Sequence, residues 1–212
     1  MRAIWRSKWY PRTVFVLCLL PLAYLSWRWY RHDLTANRVE YVARFLGIWA
    51  LRFLLGTLAI TPLRRIPGLG GLMKIRRMLG LFSFFYGFLH GLHYFVFDVE
   101  WTWSVIDDDL THRRFFIAGM AALLLLMPLA ATSFDGAIRW LGGKKWQRLH
   151  RLVYLAATAA VIHYAWQGKG ITNRNLYYAA VLLVLLLARV VYWLLNKLPA
   201  PAVAVRAGSQ TE

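Results

Sequence analysis

Four histidines lie in apolar stretches of the chain, where an imidazole is costly unless it is ligated or hydrogen-bonded. His90 and His93 lie deep in one stretch, and His163 and His150 belong to a later one. His90 and His163 reach similar depth in two helices that run in the same direction. Two facing imidazoles could approach a flat macrocycle from opposite sides. The pattern therefore predicts bis-histidine haem b, a low-spin centre suited to electron transfer.

Two glycines within one turn of His90 bear on this prediction. Gly87 and Gly91 give the helix a small face against which a porphyrin could lie. The alternative is a small-xxx-small face that packs against another helix, which is common in membranes. We favour haem because ionisable residues inside a membrane mark functional sites by default. The role of His93 stays open.

His150 lies thirteen positions before His163, a rise of about 20 Å on a helix. That distance would allow a second carrier nearer the other side of the membrane. Thirteen residues of an ideal helix do not return to the same face, so a kink or local unwinding would be needed to pair the two histidines. Spacing alone does not decide whether His150 ligates a haem or contacts another cofactor.

The composition indicates a membrane protein. The chain has 212 residues, of which 59% are hydrophobic, and its formal charge is +17. Its basic residues lie mostly between apolar runs, which is typical of polytopic proteins and not of nucleic-acid binders. Cys18 is the only cysteine, so any metal must be held by nitrogen. We predict an all-α membrane domain over residues 1–198 and a disordered cytoplasmic tail over 199–212.

Six apolar runs are long enough to span the bilayer. The predicted spans are Tyr10–Trp29, Phe45–Leu63, Met78–Phe97, Phe115–Thr132, Leu149–Trp166 and Leu176–Leu195. Lys and Arg concentrate in alternate connections, which places both termini of this multi-pass protein in the cytoplasm. Most acidic residues fall on the outer side, including Asp107, Asp108 and Asp109, which are predicted to lie in a solvated connection.

Three arginines could support a cofactor. Arg52 lies midway along the second span, where it could pair with a haem propionate or snorkel toward the outer surface. Arg76 and Arg77 stand at the inner mouth of the third span, where they could hold a propionate or a flavin phosphate. The alternative for this pair is that it only enforces the topology.

Several segments together resemble the MsrQ (YedZ) family of bacterial membrane proteins. They are Arg76–Leu81 continuing to His90, Lys145–Leu155, Ile162–Tyr164 with Trp166, and the segments Phe53–Gly56 and Ile60–Leu63. The resemblance runs from about Arg44 to Arg189. It also indicates the wider ferric reductase-like transmembrane superfamily.

The resemblance implies a haem-binding subunit that transfers electrons and carries no catalytic residue of its own. In that family the partner is MsrP, a periplasmic molybdopterin enzyme that repairs methionine sulfoxide in proteins and forms a heterodimer with MsrQ. The family is associated with haem b and FMN, and with the quinone pool or a cytoplasmic flavin reductase as donor. In the wider superfamily a histidine stands where this chain has Arg76, which leaves the ligands of an inner haem open.

Two other functions are compatible with the sequence. One is a stand-alone ferric or metal reductase, and the other is a non-redox metal-ion transporter whose histidines bind the ion. The chain lacks a recognisable nucleotide-binding unit, because the glycines in 67–71 stand in a short loop without a strand before them. Electrons would therefore have to come from another molecule.

Overall fold

A computed structural model describes Trp5, residues 7–168 and residues 172–196. The described residues form helices and turns without strands, as predicted; the proposed tail over 199–212 lies outside them. The α-helices are α1 (Trp9–Tyr30), α2 (Arg38–Leu63), α3 (Met73–His93), α4 (Trp103–His112), α5 (Arg114–Ala131), α6 (Asp135–Leu141), α7 (Gly143–Leu149), α8 (Leu152–Trp166) and α9 (Asn173–Leu195). A 3₁₀ turn (Gly70–Leu72) precedes α3, and a π-helical turn (Tyr94–Asp98) follows it.

Five of these segments are long and apolar enough to cross a membrane, which indicates a multi-pass membrane protein. They are α1, α2, the segment Gly70–Asp98, α5 and α9. The remaining predicted span, Leu149–Trp166, is represented by α8, which has 15 residues. At 1.5 Å per residue α8 is about 22 Å long, short of the roughly 30 Å hydrocarbon layer.

The helix is shorter because His150 and Arg151 form a turn with i→i+3 hydrogen bonds that interrupts the α-helix. The short helix α7 ends at Leu149, and α8 begins only at Leu152. The His150 ring stacks on Trp146 at 3.8 Å between ring centres, and its Nε2 lies 3.1 Å from the Thr132 hydroxyl. Trp146 in turn donates from Nε1 to the Thr132 carbonyl. These contacts fix the break against the end of α5.

The centre of the bundle consists of two antiparallel helix pairs, α2 with α3 and α5 with α8. Helix α9 packs against α8 and α2, and α1 lies outside α3. Leu58, Ala156 and Ala157 are fully buried where α2 meets α8. Small side chains such as these alanines let helices approach closely, which is how helices associate in a lipid environment that offers no hydrophobic drive.

Helix α1 is tied to α3 through the hydroxyl of Tyr86, a fully buried side chain. This hydroxyl donates to the Cys18 carbonyl at 2.9 Å and accepts from the Leu22 N–H at 3.1 Å. Both groups lie beside Pro21, which has no N–H and disturbs the local helical bonding. Tyr86 thus satisfies backbone groups at the proline of α1.

Antiparallel packing gives the bundle two chemically different ends. The basic end carries the C-termini of α2, α5 and α9, the loop 64–72 and the segment 135–151. The acidic end carries the loop 31–37, the π turn, α4, the end of α8 and the start of α9.

The acidic end is more ordered than the sequence predicts. The predicted solvated connection contains α4, and one of its three adjacent aspartates is buried: Asp109 is 1% exposed. The Asp109 carboxylate accepts from the Tyr94 hydroxyl and lies 2.9 Å from Nε of Arg113. Asp107 and Asp108 are exposed, as predicted. The prediction was wrong for Asp109 because it did not foresee a tyrosine and an arginine that compensate the buried charge.

Candidate functional site

His90 is oriented by the backbone of a neighbouring helix. It lies near the end of α3, and its Nδ1 is 2.9 Å from the Ala43 carbonyl of α2. Because a carbonyl oxygen can only accept, Nδ1 carries the proton in this hydrogen bond. The other ring nitrogen, Nε2, then keeps its lone pair. His90 is therefore held in the tautomer that can ligate a metal through Nε2.

His163 is held in the same way by a different helix. It lies in α8, and its Nδ1 is 2.7 Å from the Phe115 carbonyl of α5. The same reasoning leaves Nε2 of His163 with a free lone pair. The two helix pairs at the centre of the bundle thus each present one imidazole with the same chemistry.

A glycine lies under each ring, four residues after the carbonyl that accepts its hydrogen bond. A Cβ on Gly47 would lie 3.3 Å from the His90 ring. A Cβ on Gly119 would lie 2.6 Å from Nδ1 of His163, closer than real Cβ atoms come. Each imidazole therefore occupies a cradle made of a backbone carbonyl and a glycine one helical turn later. Sequence reasoning missed both glycines, because it considered only Gly87 and Gly91, on the helix of His90, as positions where a cofactor could lie close.

The two imidazoles face one another. Their ring centres are 5.9 Å apart and their planes cross at 71°. Two metal–nitrogen bonds of about 2 Å each would span about 4 Å, and the remainder corresponds to the half-widths of the rings. The separation therefore suits one metal ion ligated by both histidines.

A large cavity surrounds the histidine pair. Its volume is about 1130 Å³, and its walls are formed by α2, α3, α5, α8 and α9. This exceeds the roughly 300–1,000 Å³ of ordinary small-molecule sites. Gly87 and Gly91 line it, and a Cβ on Gly91 would also lie 3.1 Å from Leu123. The small face of α3 thus serves both the cavity and helix packing, and the donor set and space fit a large, flat macrocycle.

Arg52 also lines the cavity. Its Nε donates to the Tyr178 hydroxyl of α9 at 3.1 Å, and its guanidinium lies over the Trp49 ring at 4.8 Å. Among the described residues no carboxylate pairs with Arg52, so its charge faces the cavity without a protein anion. Arg44 and Arg174 line the cavity nearer the acidic end. The cavity wall is consequently suited to an anionic substituent on its ligand.

The acidic end closes the cavity with a polar network. Tyr94, Asp98, Asp109 and Arg113 line its wall there. Asp109 joins Tyr94, in the π turn that follows α3, to Arg113, which precedes α5. One buried carboxylate thus ties the end of the helix that carries His90 to the start of the helix whose Phe115 carbonyl binds His163. This network fixes the spacing of α3 and α5 at the mouth of the cavity.

Three other residues that the sequence singled out lie outside the cavity. His150 occupies the break before α8. Arg77 lies at the basic end, where Nη1 is 2.5 Å from a carboxylate oxygen of Asp135. His93 is 8% exposed, with Nδ1 at 3.9 Å from the Asp98 carboxylate. The structure therefore brings His90, His163 and Arg52 together and leaves His150, Arg77 and His93 apart from them.

Within the described ranges, no group of three or more His, Cys, Asp or Glu side chains could hold a metal ion. The histidine pair provides two ligands, which is the number that a macrocycle with four nitrogens of its own requires.

Comparison with known proteins gives a consistent family assignment. Residues 46–161 match the family described as ferric reductase like transmembrane component. This range includes His90 and His150 and ends two residues before His163.

Individual relatives match over most of their length. The protein-methionine-sulfoxide reductase heme-binding subunit MsrQ of Rhodospirillum rubrum is 48% identical over 178 residues, which cover 84% of this chain and 86% of the relative. The protein of the same name from Polaromonas naphthalenivorans is 44% identical, covering 85% of this chain and 86% of its own. The one from Bordetella pertussis is 44% identical, covering 91% and 92%.

Identities of this size over more than four fifths of the chain do not arise by chance. The chain therefore belongs to the MsrQ family of ferric reductase-like transmembrane proteins.

Proposed function

We propose that this protein is the haem b electron-transfer subunit of a protein-methionine-sulfoxide reductase system. The carrying observation is the pair of facing imidazoles, each with Nδ1 bound to a backbone carbonyl and Nε2 left free at a 1130 Å³ cavity. The relatives' names, which describe heme-binding subunits of such a system, support the same role.

His90 and His163 would hold the haem iron through Nε2. Bound haem would supply a one-electron couple at a low-spin, six-coordinate iron. The Ala43 and Phe115 carbonyls keep both imidazoles in the ligating tautomer and raise their basicity as ligands. Gly47 and Gly119 admit the rings close to α2 and α5. The protein's part in the chemistry would thus be to hold two imidazoles in the ligating tautomer at the cavity.

Arg52 would pair with a haem propionate. It has no carboxylate partner among the described residues, and its Nε is held by Tyr178 at the cavity wall. A charge-assisted hydrogen bond between a guanidinium and a carboxylate inside the bundle is much stronger than one in water. Arg52 would thereby help to hold and orient the haem in the cavity.

The partner and the donor complete the proposed path. Electrons would leave at the acidic end to MsrP, a periplasmic molybdopterin enzyme that repairs oxidised proteins, within a heterodimer. They would enter at the basic end from the quinone pool or a cytoplasmic flavin reductase. FMN would bind at that end, where His150 and Arg77 are candidates to contact it. His150 is half-buried at the helix break, which offers an accessible imidazole at the entry side.

The proposed topology has six spans in the bacterial inner membrane, with both termini in the cytoplasm. The basic end would face the cytoplasm, in keeping with the preference of Lys and Arg for that side. Helix α8 would be the fifth of the six spans, with α7 and the break at His150 filling the rest of the distance across the bilayer. The start of α8 lies at the basic end of the bundle, and its last turn lies at the acidic end.

The visible spectrum of the purified protein tests this proposal, together with the haem content per chain. We expect the sharp reduced bands of low-spin haem b, and loss of most of the haem in His90→Ala and in His163→Ala. His93→Ala is the matched control, because His93 is a buried histidine one helical turn from His90 that does not line the cavity. Purification of a folded protein without haem, or full haem in His90→Ala, would contradict the assignment.

A further inference from the structure

A second, smaller cleft lies between the ends of α2 and α9 at the basic end of the bundle. Its volume is about 160 Å³, and its walls are formed by Thr61, Pro62, Arg65, Ala188, Arg189 and Tyr192. None of these residues lines the cavity of the histidines. The cleft is therefore a separate feature of the molecule.

Two buried polar atoms of this cleft have no hydrogen-bond partner in the described structure: the hydroxyl of Thr61 and Nε of Arg189. The rest of the Arg189 guanidinium is fixed, because it donates to the Tyr154 hydroxyl and, at 2.9 Å, to the Leu58 carbonyl. Unsatisfied buried donors are rare in native structures, and each one calls for an unseen partner. Here both donors belong to the same cleft.

The charge of the cleft indicates what that partner is. Arg65 and Arg189 bring two positive charges to its wall, and no carboxylate among the described residues forms an ion pair with either. Two guanidiniums and a hydroxyl, all of them donors, match the acceptor oxygens of a phosphate group. An apolar or cationic ligand would leave these donors unpaired.

The surroundings of the cleft indicate a lipid. Leu63 and Ile66, which flank its α2 side, are 39% and 51% exposed, and Leu187, Val190 and Val191 of α9 are about half exposed. Apolar side chains continue from the cleft along the outer face of α9 toward the middle of the bundle. A phosphate held at the helix ends would thus have an apolar path for attached acyl chains.

We propose that this cleft binds the phosphodiester headgroup of an anionic phospholipid, such as phosphatidylglycerol or cardiolipin. Arg65 and Arg189 contact the phosphate oxygens, Thr61 donates to one of them, and the acyl chains lie along α9. Basic pockets between transmembrane helices are known sites for such headgroups. The lipid would join the C-terminal ends of α2 and α9, two helices that are far apart in sequence.

Native mass spectrometry of the full-length protein, released from micelles containing defined lipids, tests the proposal. The probes are phosphatidylglycerol and the zwitterionic phosphatidylethanolamine, with inorganic phosphate as a competitor. We expect wild type to retain phosphatidylglycerol preferentially. Arg65→Gln and Thr61→Val are each expected to weaken that retention about fivefold, with phosphatidylethanolamine unaffected.

The matched control is Arg64→Gln. Arg64 carries the same charge as its neighbour Arg65, but its side chain does not line the cleft. It should retain phosphatidylglycerol like wild type. Thr61→Val changes no charge and keeps the side-chain shape, so a loss in that variant is not explained by general electrostatics. Equal retention in all four proteins, no preference between the two lipids, or displacement of phosphatidylglycerol by millimolar inorganic phosphate would overturn the proposal.

Discussion

At the scale of single residues, the two histidines use one structural device twice. Each donates from Nδ1 to a carbonyl of an adjacent helix, and each ring lies over the glycine four residues after that carbonyl. A ring in such a cradle has one orientation available, so the position of Nε2 is set before any ligand binds. This arrangement limits the reorganisation that a bound macrocycle requires.

Gly119 is the most sensitive position of this device. A Cβ there would lie 2.6 Å from Nδ1 of His163, so Gly119→Ala should displace the ring and break its hydrogen bond to Phe115. We expect haem affinity to fall by about 10- to 100-fold, the usual cost of losing an interaction that orients a metal ligand. Haem titration of the apoprotein, followed by absorption, measures the change.

The control for this substitution is Gly80→Ala in α3. A Cβ at that position would meet Thr57 only at 3.7 Å, an ordinary contact. Gly80→Ala should leave haem affinity unchanged and, through helix propensity, stabilise the fold slightly. Similar affinities of the two variants for haem would show that the cradle of His163 does not depend on Gly119.

Tyr86 gives a second prediction at this scale, about stability. Tyr86→Phe removes the hydroxyl that serves the Cys18 carbonyl and the Leu22 N–H in a buried site. Leaving buried backbone groups unsatisfied costs about 1–3 kcal/mol, so the variant should unfold at a lower temperature in detergent. Tyr24→Phe on the same helix, where the side chain is 51% exposed, should change little. A Tyr86→Phe protein as stable as Tyr24→Phe would exclude this role.

At the scale of helices, the apolar runs predicted the locations of all six long helices but not all of their ends. Helix α2 begins at Arg38, seven residues before the predicted span, because Asn37 caps it and polar first turns extend beyond the apolar run. The apolar pattern cannot reveal such a cap by itself, since it reports only the residues that prefer lipid.

The candidate site, too, could be predicted from the sequence only in part. His90, His163 and Arg52 could be selected from the sequence because each is a polar side chain at membrane depth. The carbonyls of Ala43 and Phe115 could not, because every residue has a carbonyl and only packing decides which one meets an imidazole. Asp109 was missed for a related reason: its burial depends on Tyr94 and Arg113 from other elements.

The sequence predicts that His150 and His163 could pair only if the helix were kinked or locally unwound between them. His150 and His163 could not share a helical face across thirteen residues of ideal helix, and the structure interrupts the helix at His150 and Arg151. Stacking on Trp146 and the contact with Thr132 hold the imidazole in the break. His150 is thereby directed by the end of α5 and not by α8.

The contact between α6 and the start of α3 gives a pH-dependent prediction. Arg77 donates a hydrogen bond to the Asp135 carboxylate, and its charge adds to the effect, so the pKa of Asp135 lies below its ordinary value of 3.8. A carboxyl with a depressed pKa in the folded state adds stability above pH 3.8, which is lost as the pH falls through the folded-state value. The stabilisation is small because both side chains are exposed.

Thermal unfolding of wild type and Asp135→Asn over a pH series measures this contribution. Wild type should be slightly more stable at neutral pH, and the difference should vanish once the series passes well below 3.8. Asp107→Asn is the control, since Asp107 is exposed and forms no ion pair among the described residues. A difference for Asp135→Asn that persists at acidic pH would mean that the side chain stabilises α6 by something other than its charge.

At the scale of the whole molecule, the proposed orientation in the membrane rests on the unequal distribution of charge between the basic and acidic ends. The chain has 26 Lys and Arg against 9 Asp and Glu, and the connections at the basic end hold much of that excess. Lys and Arg remain on the cytoplasmic side when a chain inserts, whereas acidic residues have little influence. In this orientation the proposed electron entry at the basic end would face the cytoplasm, and the proposed exit would lie at the acidic end on the other side.

Cysteine accessibility in intact cells tests this orientation and the crossing by α8 together. Cys18 is buried, so single cysteines placed at exposed positions can be labelled selectively. We expect a membrane-impermeant maleimide to label Asp107→Cys and Gly168→Cys in intact cells, and Lys144→Cys only after lysis. Positions 144 and 168 lie on the two sides of α8, so opposite labelling means that this 15-residue helix crosses the membrane. Labelling of Lys144→Cys in intact cells would reverse the orientation. Equal behaviour at 144 and 168 would leave five spans and place His163 on a helix that enters the bilayer without crossing it.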